Sequence, residues 1–160
     1  MRFGLFRPGL LLLAGTFACS GGAGAPAGPV PPSDPTQLTF AEELQVDLNA
    51  FRRTESGLFV QDVSEGSGRF AGRTSRVWIE YVGWLPDGTV FDGNVGQDSY
   101  HFRLGGSEVI DGWNEGIVGM RRGGVRRLVV RPELAYGSRG RGKIPAGSTL
   151  VFWVRLVDVD

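Results

Sequence analysis

Residues 76–91 read RVWIEYVGWLPDGTVF, and this stretch decides the fold class. Its first ten residues are rich in β-branched and aromatic side chains, which favours a strand. Pro86-Asp87-Gly88 then supplies a turn in which glycine can take a positive φ, and Thr89-Val90-Phe91 begins a second strand. The sequence therefore predicts a β-hairpin at this point.

Further β-rich runs, broken by glycine, lie on both sides of the hairpin. They occupy residues 58–63, 100–104, 123–132 and 149–160. Residues 111–120 suit a short helix instead, because Trp113, Ile117 and Met120 fall on one face at helical spacing. These elements predict an α+β domain over residues 57–160, in which an antiparallel twisted β-sheet wraps around one short helix.

The overall composition fits one domain and argues against several kinds of chemistry. The chain has 160 residues, with 26 glycines and with 17 basic residues against 17 acidic ones. A zero net charge does not favour a general nucleic-acid binder, which needs a net basic face. The chain has one cysteine, Cys19, and one histidine, His101, so a disulfide, a Cys-rich metal site and a His-based metal centre are not expected. We predict no metal and no cofactor.

The first 18 residues have the composition of a secretory signal peptide. Arg2 and Arg7 precede an apolar stretch that runs from Leu10 to Ala18. Cys19 follows where this stretch ends, at a place that resembles a bacterial lipobox. We therefore expect residues 1–18 to be a signal peptide and Cys19 to be lipidated. The alternatives are a cleaved signal peptide with an incidental cysteine, or cleavage at a small-residue site just before the lipobox-like sequence.

Lipidation would anchor the protein to a membrane after export. Ser20 follows Cys19, and by resemblance to sorting in enteric bacteria this favours the periplasmic side of the outer membrane. Acyl chains contribute about 0.8 kcal/mol per buried methylene, so several chains on one residue would hold the protein at the membrane surface.

Two further segments precede the predicted domain. Residues 19–37 are rich in Pro, Gly and Ala and predict a flexible, disordered tether. Residues 38–56 predict an N-terminal helix, spanning about 39–52 and packed on the domain or on a partner subunit. Thr39 and Glu42 have capping-box spacing. An apolar stripe at intervals of four, four and three supports the helix: Phe40, Leu44, Leu48 and Phe51.

Four blocks of sequence follow one another in the predicted domain. They are Tyr81-Val82-Gly83 with 87–92, 102–105 with 108–113, Pro132 to Gly137, and Ile144-Pro145 with 149–152. In this order and spacing the blocks resemble the FKBP-type peptidyl-prolyl cis-trans isomerases. The resemblance implies the fold predicted above and an enzyme that accelerates rotation about X-Pro bonds.

The same resemblance implies a shallow apolar cup built from ten residues. Those implied to be catalytic are Tyr81, Phe91, Asp92, Ile110 and Tyr136, and those implied to bind substrate are Tyr100, Val109, Trp113, Ile144 and Phe152. Trp113 would form the floor of the cup, while the Ile110 N–H and the Tyr136 hydroxyl would hold substrate carbonyls. Each aromatic taken alone is also consistent with core packing, and Asp92 with capping a turn or pairing with Tyr81.

The resemblance also bears on partners. It implies proline-containing polypeptides as substrates and the macrolides tacrolimus and rapamycin as ligands. Residues 137–145 form a Gly-rich, basic loop where the eukaryotic archetype has a His-Pro tip, which leaves substrate preference open. A cluster of arginines could be taken for a lipid or nucleic-acid patch, but strand alternation favours a solvated sheet edge and face, so we expect no nucleic-acid partner: Arg121, Arg122, Arg126, Arg127 and Arg131.

Three classes of function remain open from the sequence. The first is an isomerase that assists the folding of exported proteins. The second is a membrane-tethered chaperone or assembly module with the same fold and negligible turnover. The third is a structural lipoprotein that dimerises through the helix predicted at 39–52.

Overall fold

The structure is a computed structural model that describes residues 33–160. The predicted signal peptide, Cys19 and most of the predicted tether therefore lie outside the described residues. Seven strands and one α-helix form the domain: β1 Arg52–Arg53, β2 Phe59–Ser64, β3 Arg76–Trp84, β4 Val90–Gly93, β5 Tyr100–Arg103, α1 Asp111–Gly116, β6 Val125–Val130 and β7 Leu150–Val159. Four short 3-10 helices accompany them: Pro35–Gln37, Glu42–Leu44, Leu48–Ala50 and Pro132–Leu134.

All strands belong to one antiparallel sheet. Its order is β1-β2-β6-β7-β3-β4, and β5 also pairs with β3. The predicted hairpin is present, because β3 and β4 pair around a turn in which Gly88 has a φ of 88°. The longest pairing joins β3 to β7, from Val77 opposite Val159 to Trp84 opposite Val151. The predicted α+β architecture, with a sheet and one short helix, is confirmed.

The inner face of the sheet holds the main core, against α1. Along β6 and β7, alternate residues such as Leu128 and Phe152 point to this face, where they meet the buried side chains of Trp113, Ile117 and Met120. The three side chains face the same core, as predicted, but the helix predicted over 111–120 is shorter than expected: α1 ends at Gly116, and Ile117 and Met120 lie in the turn that follows it. Each fully buried large apolar side chain contributes about 1.5–3 kcal/mol relative to an exposed one. This packing fixes the helix on the sheet.

The outer face of the sheet carries a second core, which residues 33–51 cover. We call this segment the strap. Leu44 and Phe51 of the strap are buried against Phe59, Val129 and Val151, the residues that alternate with those of the main core. The two cores therefore use opposite faces of the same strands.

The N-terminal helix predicted at 39–52 is not observed. Residues 39–51 of the strap instead form two separate 3-10 helices, Glu42–Leu44 and Leu48–Ala50, and Gln45 between them has a φ of 47°. Thr39 does not cap a helix, because the N-cap position of the first of these is Ala41, which makes no side-chain cap hydrogen bond. The apolar stripe was recognised correctly as a buried face, but its helical conformation was wrong.

Two contacts explain why the strap is not a continuous helix. The Arg127 guanidinium donates hydrogen bonds to the backbone carbonyls of Leu44 and Gln45. In a continuous helix each of these carbonyls would instead accept from the N–H four residues further along the chain. The Asp47 carboxylate accepts from the Asn49 N–H at 3.0 Å, a local bond that competes with the helical ladder. Burial of Leu44 and Phe51 against the sheet then favours this broken path.

The end of the predicted tether is also ordered. Asp34 caps the 3-10 helix Pro35–Gln37 by accepting from the Thr36 N–H at 3.0 Å, and Pro35 is buried. The predicted flexible region therefore extends no further than the residues before 33, of which the structure gives no description. No α-helix within residues 33–160 is both long and apolar enough to cross a membrane.

The interpretation of the arginine cluster as solvated was wrong for Arg126. Its side chain is 10% exposed and donates to the carbonyl oxygen of Gly116 at 2.7 Å and to Asp62 at 2.7 Å. It thereby satisfies backbone carbonyls at the end of α1. Arg127 on the opposite face holds the strap, while Arg121 and Arg122 are exposed as predicted.

Candidate functional site: an aromatic cup

A cavity of about 420 Å³ opens between α1, β3, β4, β5 and the loop that precedes β7. The ten residues implied by the resemblance all line it, and four more that were not assigned to the cup from the sequence join them. The complete lining is Tyr81, Phe91, Asp92, Tyr100, Glu108, Val109, Ile110, Trp113, Tyr136, Arg141, Gly142, Lys143, Ile144 and Phe152. We call these fourteen residues the cup.

Trp113 on α1 lies at the base of the cup and is 6% exposed. The edge-to-face neighbours of its ring are Tyr81, with centroids 4.8 Å apart, and Phe152, at 5.3 Å. Phe102 stacks on it at 5.8 Å. Aromatic pairs in such geometries add about 0.5–1.5 kcal/mol beyond area burial, so the indole is held by rings on three sides.

Two glycines let α1 approach the sheet closely enough to place this indole. A Cβ on Gly112 would lie 2.4 Å from a methyl of Val130, and one on Gly116 would lie 2.7 Å from a methyl of Leu128. Glycine lowers the intrinsic stability of a helix, yet only a residue without a side chain fits at these two positions. The short helix is therefore defined by its contact with β6.

One wall of the cup depends on a third glycine, Gly83 in β3. A Cβ at this position would lie 2.5 Å from Phe91 Cζ and 2.9 Å from Phe152 Cε1. The two phenylalanine rings meet over it at right angles, with centroids 5.6 Å apart. Gly83 is thus the place where the backbone makes room for the aromatic wall.

Asp92 lines the cup and is held by two hydrogen bonds. The Tyr81 hydroxyl donates to Asp92 Oδ2 at 2.8 Å, and the Gly93 N–H donates to Oδ1 at 2.9 Å. Burial, reinforced by this contact with a carboxylate, raises the pKa of Tyr81 well above its ordinary value. The pairing with Tyr81 that the sequence offered as an alternative role is therefore present. Whether Asp92 also acts on a substrate stays a prediction.

The polar groups of the cup include donors that the fold leaves free. Within residues 33–160 the Ile110 N–H and the Tyr136 hydroxyl make no hydrogen bond. The indole N–H of Trp113 is buried and likewise has no hydrogen-bond partner in this part of the chain. The Ile110 N–H and the Tyr136 hydroxyl belong to residues that line the cavity, so these two donors are available to acceptors on a bound molecule.

The rim of the cup is formed on one side by residues 137–147, which we call the rim loop. Its ends are joined by a hydrogen bond of 2.8 Å from the Gly147 N–H to the Gly137 carbonyl. Inside it, Arg141 and Ile144 exchange two backbone hydrogen bonds of 2.9 Å and so close a tight turn. The sequence showed that this loop is basic. It could not show which of the basic residues line the cavity, because that depends on the turn from Arg141 to Ile144.

The described residues contain no group of three or more His, Cys, Asp or Glu side chains placed to hold a metal ion. The cup offers instead aromatic walls, a buried floor and a few hydrogen-bond donors. Such a site is suited to enclosing an apolar ring and orienting the backbone on either side of it.

Residues 67–157 match the family model described as FKBP-type peptidyl-prolyl cis-trans isomerase. The chain belongs to this family. The match contains the whole cup, so the cup of this FKBP domain coincides with the region that defines the family.

Relatives with curated descriptions are considerably longer than this chain. FK506-binding protein 4 of Mycosarcoma maydis is 47% identical over 122 residues, which are 74% of this chain and 32% of that protein. The protein of the same name from Chaetomium thermophilum is 45% identical over 64% of this chain and 21% of its own length. The chain thus spans about a third or less of the curated relatives it matches.

Solved structures of bacterial proteins show the same FKBP fold. FkpA from Escherichia coli has 39% sequence identity and a TM-score of 0.65, over 74% of this chain and 55% of that one. A peptidyl-prolyl cis-trans isomerase from Pseudomonas syringae pv. tomato has 33% identity and a TM-score of 0.63, over 69% of this chain and 81% of that one.

Proposed function

We propose that the domain is an active peptidyl-prolyl cis-trans isomerase for X-Pro bonds in exported polypeptides. The observation that carries this proposal is the intact cup: Trp113 at its base, Phe91 and Phe152 as a wall, and free donors at Ile110 and Tyr136.

The proposed mechanism needs no covalent chemistry. Rotation about a peptide bond is opposed by a barrier of about 18–20 kcal/mol, because twisting breaks amide resonance. A twisted amide has less charge separation than a planar one, so an apolar site with little water favours it over the planar ground state. Proline would rest on Trp113, and Phe91 and Phe152 would keep water from the amide.

Hydrogen bonds would fix the substrate on both sides of the rotating bond. The Ile110 N–H and the Tyr136 hydroxyl would each donate a hydrogen bond to a backbone carbonyl of the substrate. Asp92 and the neighbouring ring edges would face the carbonyl oxygen of the rotating X-Pro amide. Orientation of this kind reduces the entropy lost on reaching the transition state.

The test is an isomerisation assay on a proline-containing peptide with the full-length protein. We expect Phe91→Ala to lower kcat/KM by about tenfold or more, which corresponds to roughly 1.4 kcal/mol of transition-state stabilisation. Val90→Ala is the matched control, since the adjacent Val90 is 53% exposed and does not line the cup. Wild-type rates in both Phe91→Ala and Asp92→Ala would overturn the site assignment, and an inactive wild type would favour the non-catalytic module.

We further propose that the protein is exported and anchored through a lipidated Cys19. This is supported by the basic and apolar composition of residues 1–18 and by the position of the single cysteine after them. Intact mass of the protein extracted from membranes, compared with a Cys19→Ser variant, tests it. A wild-type mass without acyl chains would remove the anchor.

Macrolides such as tacrolimus and rapamycin are the proposed inhibitors, because they would fill the same cup. Competition between either compound and the peptide substrate tests this. Inhibition that Phe91→Ala leaves unchanged would place the macrolide elsewhere.

A further inference from the structure

The rim loop carries two cations that line the cup, Arg141 and Lys143, on a turn with a defined backbone shape. The turn from Arg141 to Ile144 is closed by two reciprocal backbone hydrogen bonds, and Ile144 anchors it because its side chain is 7% exposed. Gly140 enters the turn with a φ of 66°, and a Cβ there would lie 2.4 Å from the Ile144 carbonyl oxygen. The backbone hydrogen bonds therefore fix the shape of the turn, and the buried Ile144 side chain holds it to the cup.

The side chains of Arg141 and Lys143 line the cavity, whereas Arg139 in the same loop does not. The Arg141 guanidinium lies over the Tyr136 ring, 5.6 Å from its centroid, a cation–π distance that orients it towards the cup. Neither cation lies within 4.0 Å of a carboxylate oxygen in residues 33–160. Their charges are thus not neutralised by a direct partner in this part of the chain.

The two carboxylates of the cup do not oppose these cations directly. Asp92 is engaged by the Tyr81 hydroxyl and the Gly93 N–H. One carboxylate oxygen of Glu108 lies beside its own turn, 4.0 Å from where a Cβ on Gly106 would be. The rim loop is therefore the positive side of the cup.

We propose that Arg141 and Lys143 give the cup a preference for prolines flanked by an acidic side chain, an inference that rests on the isomerase function proposed above. An acidic residue next to a proline bound on Trp113 would be brought to the rim loop and form an ion pair there. Because both cations are exposed to solvent, the preference is modest, about two- to fivefold for one such pair.

The test compares peptides that differ only in the residue beside proline: Glu, the isosteric Gln, or Lys, placed before the proline in one series and after it in another. With the full-length wild type we expect kcat/KM to be about two- to fivefold higher for Glu than for Gln in at least one series, and lowest for Lys. The Glu-to-Gln ratio should fall towards one in 0.5 M salt, since salt screens exposed charges.

Variants separate the two lining cations from the general charge of the loop. Arg141→Gln combined with Lys143→Gln should bring the Glu-to-Gln ratio close to one, whereas Arg139→Gln, which removes the same type of charge from the same loop, should keep the wild-type ratio. Equal turnover of Glu and Gln peptides in both series would overturn this inference and leave the isomerase function standing. Absence of turnover for every peptide would overturn both. An equal loss in the Arg139 variant would also overturn the inference, because it would show a nonspecific effect of loop charge.

Discussion

The Tyr81 hydroxyl donates a 2.8 Å hydrogen bond to the Asp92 carboxylate. This contact joins β3 to β4 at the mouth of the cup, and both partners line the cavity. It also sets the chemical state of the pair, because burial and the nearby carboxylate both oppose ionisation of the phenol.

The raised pKa of Tyr81 gives the first prediction. The folded state keeps the phenolic proton more tightly than the unfolded state, whose tyrosine pKa is about 10. The stabilisation is therefore complete below about pH 10 and is lost as the pH rises further. We expect the difference in unfolding free energy between wild type and Tyr81→Phe to be constant near neutral pH and to shrink above about pH 10. Denaturant unfolding across this range measures it, and a difference that does not change with pH would contradict it.

Gly83 gives the second prediction. Gly83→Ala forces the new methyl against Phe91 and Phe152, which are already within 2.5 and 2.9 Å of its position. Overpacking of this kind costs about 1–3 kcal/mol, and displacement of Phe91 should also lower isomerase kcat/KM. Gly72→Ala is the control, because the nearest atom to its Cβ would be Ser75 Oγ at 3.5 Å. Unfolding curves and rates for the two variants should therefore diverge, and identical behaviour would refute the steric argument.

Arg126 gives the third prediction. Arg126→Met leaves the Gly116 carbonyl without its 2.7 Å donor, and an unsatisfied buried carbonyl costs about 1–3 kcal/mol. Arg155→Met removes an exposed arginine that pairs with Glu80 at 3.2 Å, a kind of pair that contributes about 0–1 kcal/mol. Chemical denaturation should show the larger loss for Arg126, and the reverse order would mean that the buried hydrogen bonds are not the stabilising contact.

The strap gives the fourth prediction. Leu44 is 4% exposed in the outer core, so Leu44→Ala should lower the unfolding free energy by about 2–5 kcal/mol. Leu48→Ala, at a half-buried position of the same segment, should cost less than half of that. Equal small losses at both positions would show that the strap does not add to the stability of the domain.

The sheet was accessible from the sequence because it depends on local patterns, and the cup was accessible because of the resemblance to a known family. The hairpin at 76–91 combines a strand-forming run with an Asp-Gly turn. The spacing of Trp113, Ile117 and Met120 correctly indicated one buried face, although the helix itself ends at Gly116. The positions of the ten cup residues came from the resemblance, and all ten line one cavity. Their individual roles in catalysis stay predictions.

The strap and Arg126 could not be predicted for the same reason: long-range contacts decide them. An apolar stripe spaced four, four and three is compatible both with one helix and with two short 3-10 helices. Arg127 decides between them, because its guanidinium donates hydrogen bonds to the carbonyls of Leu44 and Gln45. The side chain of Asp47, two residues before Asn49, was the one local signal of the break. The burial of Arg126 likewise could not be predicted from its position in a strand, because it depends on the Gly116 carbonyl at the end of α1, to which Arg126 donates.

The position of β7 also has a consequence for how the protein is made. This strand is the last element in the described chain, yet it lies in the middle of the sheet, between β6 and β3. Before β7 is synthesised, β6 and β3 each have an unpaired edge, and an unpaired strand edge can pair with strands of other chains. The domain closes, and Phe152 completes the cup, only when β7 has left the ribosome. Until then the unpaired edges make the nascent chain most prone to pairing with other chains.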